Sequence, residues 1–124
     1  MTATILSNVK RRGEIGLLGE ELAARYLEQQ GFQILRQNFR QGRGEIDIIC
    51  VKKDLLVFVE VKSRSYQAGH RPTMMVRDGQ QRKIKTTARK YLGDSNWYGL
   101  VRFDLVEVVL AGGGSITHYP GYFN

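Results

Sequence analysis

The sequence predicts an α/β domain, a central mixed β-sheet of about five strands flanked by helices. Three observations predict it. Segments of helical and extended periodicity alternate in the order helix, three strands, helix, two strands. The 124 residues fit one compact domain and not two. The 42% apolar content supports a core and excludes a disordered chain, while no apolar run approaches the ~18 residues of a membrane-spanning helix. The expected division is a flexible N-terminal segment over residues 1–12, one domain over 13–119 and a C-terminal tail over 120–124.

Each element has its own signal. Residues 13–30 read as a helix because Ile15, Leu18, Leu22 and Tyr26 fall on one stripe and Gly31 supplies a C-terminal stop. A strand follows over 32–40, then a turn at Gln41-Gly42-Arg43-Gly44. Residues 45–52 and 55–63 form two strands around a Lys53-Asp54 tip. The stretch 64–73, with Gly69 and Pro72, reads as a loop. A second helix covers about 79–92, with Asp78 as N-cap, an apolar face of Ile84, Ala88, Tyr91 and Leu92, and Gly93 as its stop. Residues 100–110 and 115–119 are closing strands.

Composition narrows function. The first ten residues carry no apolar stretch of signal-peptide length, so a cytoplasmic protein without membrane attachment is expected. The single cysteine, Cys50, excludes an internal disulfide and a cysteine-based zinc site, and its apolar setting reads as a buried small hydrophobe. His70 and His118 lie in unrelated segments, with no triad partners nearby in sequence. The net charge is +7. From Lys62 to Lys90 nine basic residues face one acid, Asp78. Such a segment either sits in water as a solvated face or faces phosphate, releasing counterions.

The informative residues are acids where acids are costly. On the first helix Glu14, Glu21, Arg25 and Glu28 share one arc, but Glu20 falls between Ala24 and Leu27 on the apolar side. A carboxylate there costs several kcal/mol unless it is paired or bound to metal; the plainer alternative is an acid answering the helix dipole. In the hairpin, pairing about the Lys53-Asp54 tip sets Asp47 directly opposite Glu60. Opposed side chains have Cβ atoms roughly 4.5–5.5 Å apart, where like charges repel. A divalent cation between them would remove the repulsion, and Mg²⁺ takes one or two carboxylates plus water and substrate phosphate. Lys62, two residues beyond Glu60, projects from the same face with Phe58, whereas Val57, Val59 and Val61 face the other way. An ion pair of Glu60 with Lys62 alone explains the lysine and leaves the Asp47–Glu60 clash unexplained. Acids, a lysine and a basic surround are the composition of metal-assisted phosphodiester hydrolysis.

The runs Gly16-Leu17-Leu18-Gly19-Glu20, Gly44-Glu45-Ile46-Asp47-Ile48-Ile49 and Phe58-Val59-Glu60-Val61-Lys62-Ser63-Arg64 resemble the YraN family of small bacterial proteins. That family is similar to Holliday-junction resolvases and belongs to the restriction-endonuclease-like, PD-(D/E)-x-K nuclease superfamily. The resemblance spans roughly residues 16–92, with Arg102-Phe103-Asp104 as a further echo. It implies a restriction-endonuclease-like domain with its active site at the hairpin. Asp47 and Glu60 would be the metal-binding acids, Glu20 a third acid near the metal, Val61 a carbonyl ligand and Lys62 the catalytic lysine. Mg²⁺ or Mn²⁺ would be the cofactor, and Arg64 would approach the phosphate backbone. The second helix departs from the family by opening Gln80-Gln81 where lysine is more usual, and Met74-Met75 replaces more polar residues.

The leading expectation is therefore a Mg²⁺- or Mn²⁺-dependent endonuclease acting on DNA in preference to RNA, on branched or damaged substrates. Arg43, Arg64, Arg82, Lys83, Lys85 and Arg89 are its candidate nucleic-acid contacts. The alternatives are a non-catalytic nucleic-acid-binding module, which would gain from neutralising Asp47 and Glu60, and a protein-interaction adaptor with no salt-dependent affinity for nucleic acid. A junction-cutting enzyme would need a homodimer, for which Tyr119, Tyr122 and Phe123 are the candidate apolar face.

Overall fold

The computed structural model describes residues 12–65 and 76–124. The N-terminal segment as far as residue 11, and the loop residues 66–75 with Tyr66, His70 and Met74-Met75, lie outside the described residues. The elements are α1 (Arg12–Gln29), β1 (Gln33–Gln41), β2 (Gly44–Lys52), β3 (Leu55–Arg64), α2 (Asp78–Ser95), β4 (Leu100–Val109), a 3-10 turn (Ala111–Gly113) and β5 (Ser115–Phe123). They form the expected α/β domain, a five-stranded mixed sheet in the order β1-β2-β3-β4-β5. The β3–β4 pair is parallel and the other pairs are antiparallel.

β3 is the centre because its run Leu55-Leu56-Val57-Phe58-Val59 is apolar on both faces. Val57, Val59 and Val61 pack under α1 with Ala23, Ala24 and Leu27, whereas Phe58 packs under α2 with Ile84 and Ala88. The deepest line of α1 is thus Gly19, Ala23, Ala24 and Leu27; the stripe Ile15, Leu18, Leu22 and Tyr26 is its half-buried flank. Gly19, Ala23 and Ala24 are small and let the helix approach the sheet, with Leu27 filling the end of that line. Phe58 is fully buried, and replacing such a ring by alanine costs about 3–5 kcal/mol.

Several boundaries differ from expectation. α2 runs past Gly93 to Ser95 and ends at Asn96, which takes the left-handed conformation (φ 54°) that Asn tolerates. Its N-cap position is Arg77, which makes no side-chain capping bond, and Asp78 is the first helical residue. β5 does not stop at Tyr119. Phe123 is buried and stacks on Phe103 with ring centroids 5.2 Å apart, so residues 120–123 belong to the sheet and are not a tail. Pro120 is compatible with this because β5 is an edge strand. Of the candidate dimer-face residues, Phe123 is buried in the core, while Tyr119 and Tyr122 pack half-buried against the core beneath α2.

Candidate active site

The hairpin pairs as its turn predicts. Ile48 faces Val59 and Ile49 faces Phe58, down to Lys52 opposite Leu55. The pairing stops at Ile48, one step short of Asp47 and Glu60. Strict alternation also breaks here, since Ile46 packs in the core under α2 while Ile48 packs under α1. The Asp47 side chain takes over from the backbone: the Val61 N–H donates to Asp47 Oδ2 at 2.8 Å. Burial and the Glu60 charge push the Asp47 carboxyl up to about 8, against the Val61 hydrogen bond, with Glu20 adding to the rise.

Glu20 reaches this point because α1 crosses β3 closely at Gly19, where any Cβ would collide with the Ser63 hydroxyl. Burial raises the Glu20 carboxyl above its ordinary range, and the charges of Glu45 and Glu60 add to this; a hydrogen bond with Asn38 opposes it, as does the Arg40 charge. Glu20 Oε1 is buried with no hydrogen-bond partner among the described residues. Asn38 sits inside β1 at φ 52°, a left-handed conformation unusual in a strand. Nothing in the sequence marked Asn38, because its role depends on a contact between α1 and β1.

Glu60 is 8% exposed. Its Oε2 lies 3.2 Å from Lys62 Nζ. The Gln80 amide, from the first turn of α2, closes a ring with this pair: Nε2 donates to Glu60 Oε2, and Oε1 accepts from Lys62 Nζ at 3.3 Å. The position where lysine was expected thus carries an amide that serves both charges. The gap in the sequence between Lys62 and Gln80 hid this link, since only the crossover from β3 to α2 brings them together.

The structure therefore unites Glu20, Asp47, Glu60 and Lys62 around the end of the β2–β3 pairing. Among the described residues, no three His, Cys, Asp or Glu side chains form a ready ligand cage. The donors nevertheless suit a hard cation: they are all oxygens, Glu20 Oε1 lacks a partner among the described residues, and the Glu60 charge raises the cost of ionising Asp47.

The candidate nucleic-acid residues divide. Arg43, Arg82 and Lys83 line one cleft of about 360 Å³ between the β1–β2 turn and α2, with Thr86 and Lys90. Lys85 and Arg89 lie on the other flank of α2, beside Val101 and Phe103. Arg64 pairs with Glu107 at 3.3 Å.

A second cluster lies across the sheet. Asp104, fully buried in β4, takes two hydrogen bonds from Arg102 (2.8 and 2.9 Å) and one from the Gly121 N–H (2.9 Å), and lies 2.7 Å from His118 Nε2. Tyr26 Oη is 3.4 Å from His118 Nδ1. His118 is thus not without partners, as its sequence neighbourhood implied; the β4–β5 pairing supplies them. Burial pushes the Asp104 carboxyl up, but the bonds with His118, Arg102 and Gly121 outweigh it and hold it below its ordinary value. Burial raises the Cys50 thiol to about 12, with the Asp104 charge adding, consistent with a core residue and not a nucleophile. No described helix is long and apolar enough to cross a membrane.

A sequence model of the uncharacterised protein family UPF0102 matches residues 19–108, which include all four clustered site residues. Proteins named as UPF0102 proteins are similar over most of the chain. One from Cytophaga hutchinsonii is 41% identical over 93 residues, covering 75% of this chain and 82% of its own. One from Alkaliphilus oremlandii is 42% identical over 102 residues, covering 78% and 86%. One from Syntrophomonas wolfei is 39% identical over 112 residues, covering 89% and 97%.

Proposed function

The chain belongs to UPF0102, the YraN family, and from that premise we propose that it is a metal-dependent endonuclease hydrolysing phosphodiester bonds in DNA. The observation that carries this reading is the convergence of Glu20, Asp47 and Glu60 beside Lys62, with one buried carboxylate oxygen left unpartnered. Folding alone gains nothing from such an arrangement.

Asp47 and Glu60 would hold Mg²⁺ or Mn²⁺, with Glu20 close enough to serve a water of the ion. The Val61 carbonyl is a further candidate ligand, because a strand residue's N–H and C=O point toward the same neighbour, and its N–H already faces Asp47. When bound, the ion supplies Lewis acidity at the phosphoryl oxygen and a water of lowered pKa. Lys62, held by Glu60 and Gln80, would orient the attacking water and stabilise charge developing on the phosphoryl oxygens. The basic cleft beside α2 neutralises the adjoining backbone.

The test is cleavage of single-stranded, duplex and branched DNA by the full chain with Mg²⁺, Mn²⁺ or EDTA. Metal-dependent cleavage is expected, and Glu60→Gln and Lys62→Ala should each slow it by about 10²–10³-fold while leaving binding intact. Absence of metal-dependent cleavage on every substrate would overturn the reading and leave a nucleic-acid-binding module.

A further inference from the structure

We propose that the cleft between the β1–β2 turn and α2 is a track for one nucleic-acid strand, running away from the hydrolytic site and excluding a second strand. This deepens the endonuclease reading and rests on it for the position of the scissile phosphate.

The cleft has cations on two walls. Arg43 comes from the turn, and Arg82, Lys83 and Lys90 come from α2; among the described residues, none that lines it is a carboxylate. The walls are held together by a close approach, because any Cβ at Gly44 would collide with the Thr87 hydroxyl and Thr87 is buried. The space is a partly open cleft of about 360 Å³. The two backbones of B-DNA are separated by grooves about 6 and 12 Å wide, so a slot walled on both sides takes one of them.

Direction follows from α2. Gly79 lines the slot, and its neighbour Gln80 touches both Glu60 and Lys62. The slot therefore starts at the hydrolytic group. Lys90 lies eleven residues further along the helix, about 16 Å at 1.5 Å per residue. Four cations along the cleft hold an anionic strand beside the acidic end of the site before any metal is bound.

The two flanks of α2 provide the test. Binding of a fluorescent single-stranded oligonucleotide, and of a duplex of the same sequence, is measured by anisotropy in EDTA over a salt series. The wild type is compared with R82A/K90A on the slot side and K85A/R89A on the other flank. Alanine preserves helix propensity at all four positions. We expect single-strand affinity to exceed duplex affinity. The slot variant should bind the single strand at least about tenfold more weakly and lower the salt slope by about 1.4, two phosphates at 0.7 each; the flank variant should change both by much less. Equal losses in the two variants, tighter duplex binding, or no binding by the wild type would overturn the track. Slot-specific binding in EDTA, together with no cleavage of the same substrates when Mg²⁺ or Mn²⁺ is added, would sink the hydrolytic reading and keep the track. Cleavage indifferent to R82A/K90A would do the reverse.

Discussion

Asp104 and Asp47 are aspartates carried by strands of one sheet, and the fold treats them in opposite ways. Asp104 pairs in register beside Val59, on the α1 side, and is surrounded by donors: Arg102 twice, the Gly121 N–H and His118. Asp47 has one backbone donor and two acids for company. The first carboxyl is held below its ordinary value and the second is pushed to about 8. A buried charge that is fully answered specifies structure; one left unanswered marks a place where the fold gives up stability for something outside itself. An acidic residue in the core thus has to be judged by its donors and not by its burial.

The contrast is broken most severely at Asp104. Asp104→Ala leaves Arg102 and His118 facing an empty position, and should lose about 3–5 kcal/mol in urea unfolding. A loss near zero would mean that the network is ornamental. Asp47→Asn should do the opposite. The folded chain keeps a proton on Asp47 up to about pH 8, whereas the unfolded chain releases it near 3.8. This contribution is complete below about pH 4 and is lost as the pH rises through about 8. In EDTA, the unfolding free energy of the wild type should therefore decline across that window, and Asp47→Asn should flatten the decline. Asp104 acts on the other limb: its lowered value makes a contribution that is present above 3.8 and is lost as acid is added below it.

Mn²⁺ sharpens the comparison further. At a hundred times its dissociation constant a bound ion adds about 2.7 kcal/mol, which should raise the melting temperature of the wild type at pH 8 and not that of Asp47→Asn. The smallest effect belongs to the outer member of the satisfied network. The Tyr26–His118 contact is 3.4 Å long, so Tyr26→Phe should cost under about 1 kcal/mol in the same urea assay.

What could be read in advance follows the reach of each interaction. The nearness of the hairpin acids was legible because a two-residue tip sets the register locally, although the ladder ends before the expected Asp47–Glu60 pair, and Glu20 was legible because helical periodicity alone puts it on the wrong arc. The α/β order of elements was legible for the same reason. Gln80 was not, since it meets Lys62 only through a crossover connection. His118 was not, since its partner lies on another strand, next to a shift in register between Phe103 and Leu105. The extent of β5 was missed because aromatic stacking on Phe103 carries the strand through Pro120 and Gly121, residues that locally read as a stop. The division of the α2 cations between two flanks needed the position of the β1–β2 turn.

One carboxylate is shared between the sheet and the site. The Val61 amide proton rests on Asp47 Oδ2, in the place where a backbone carbonyl of β2 would otherwise continue the ladder. Any ligand that draws this oxygen away must set the proton free. Deuterium uptake at that single amide is consequently a gauge of occupancy, readable by NMR before a substrate has been identified.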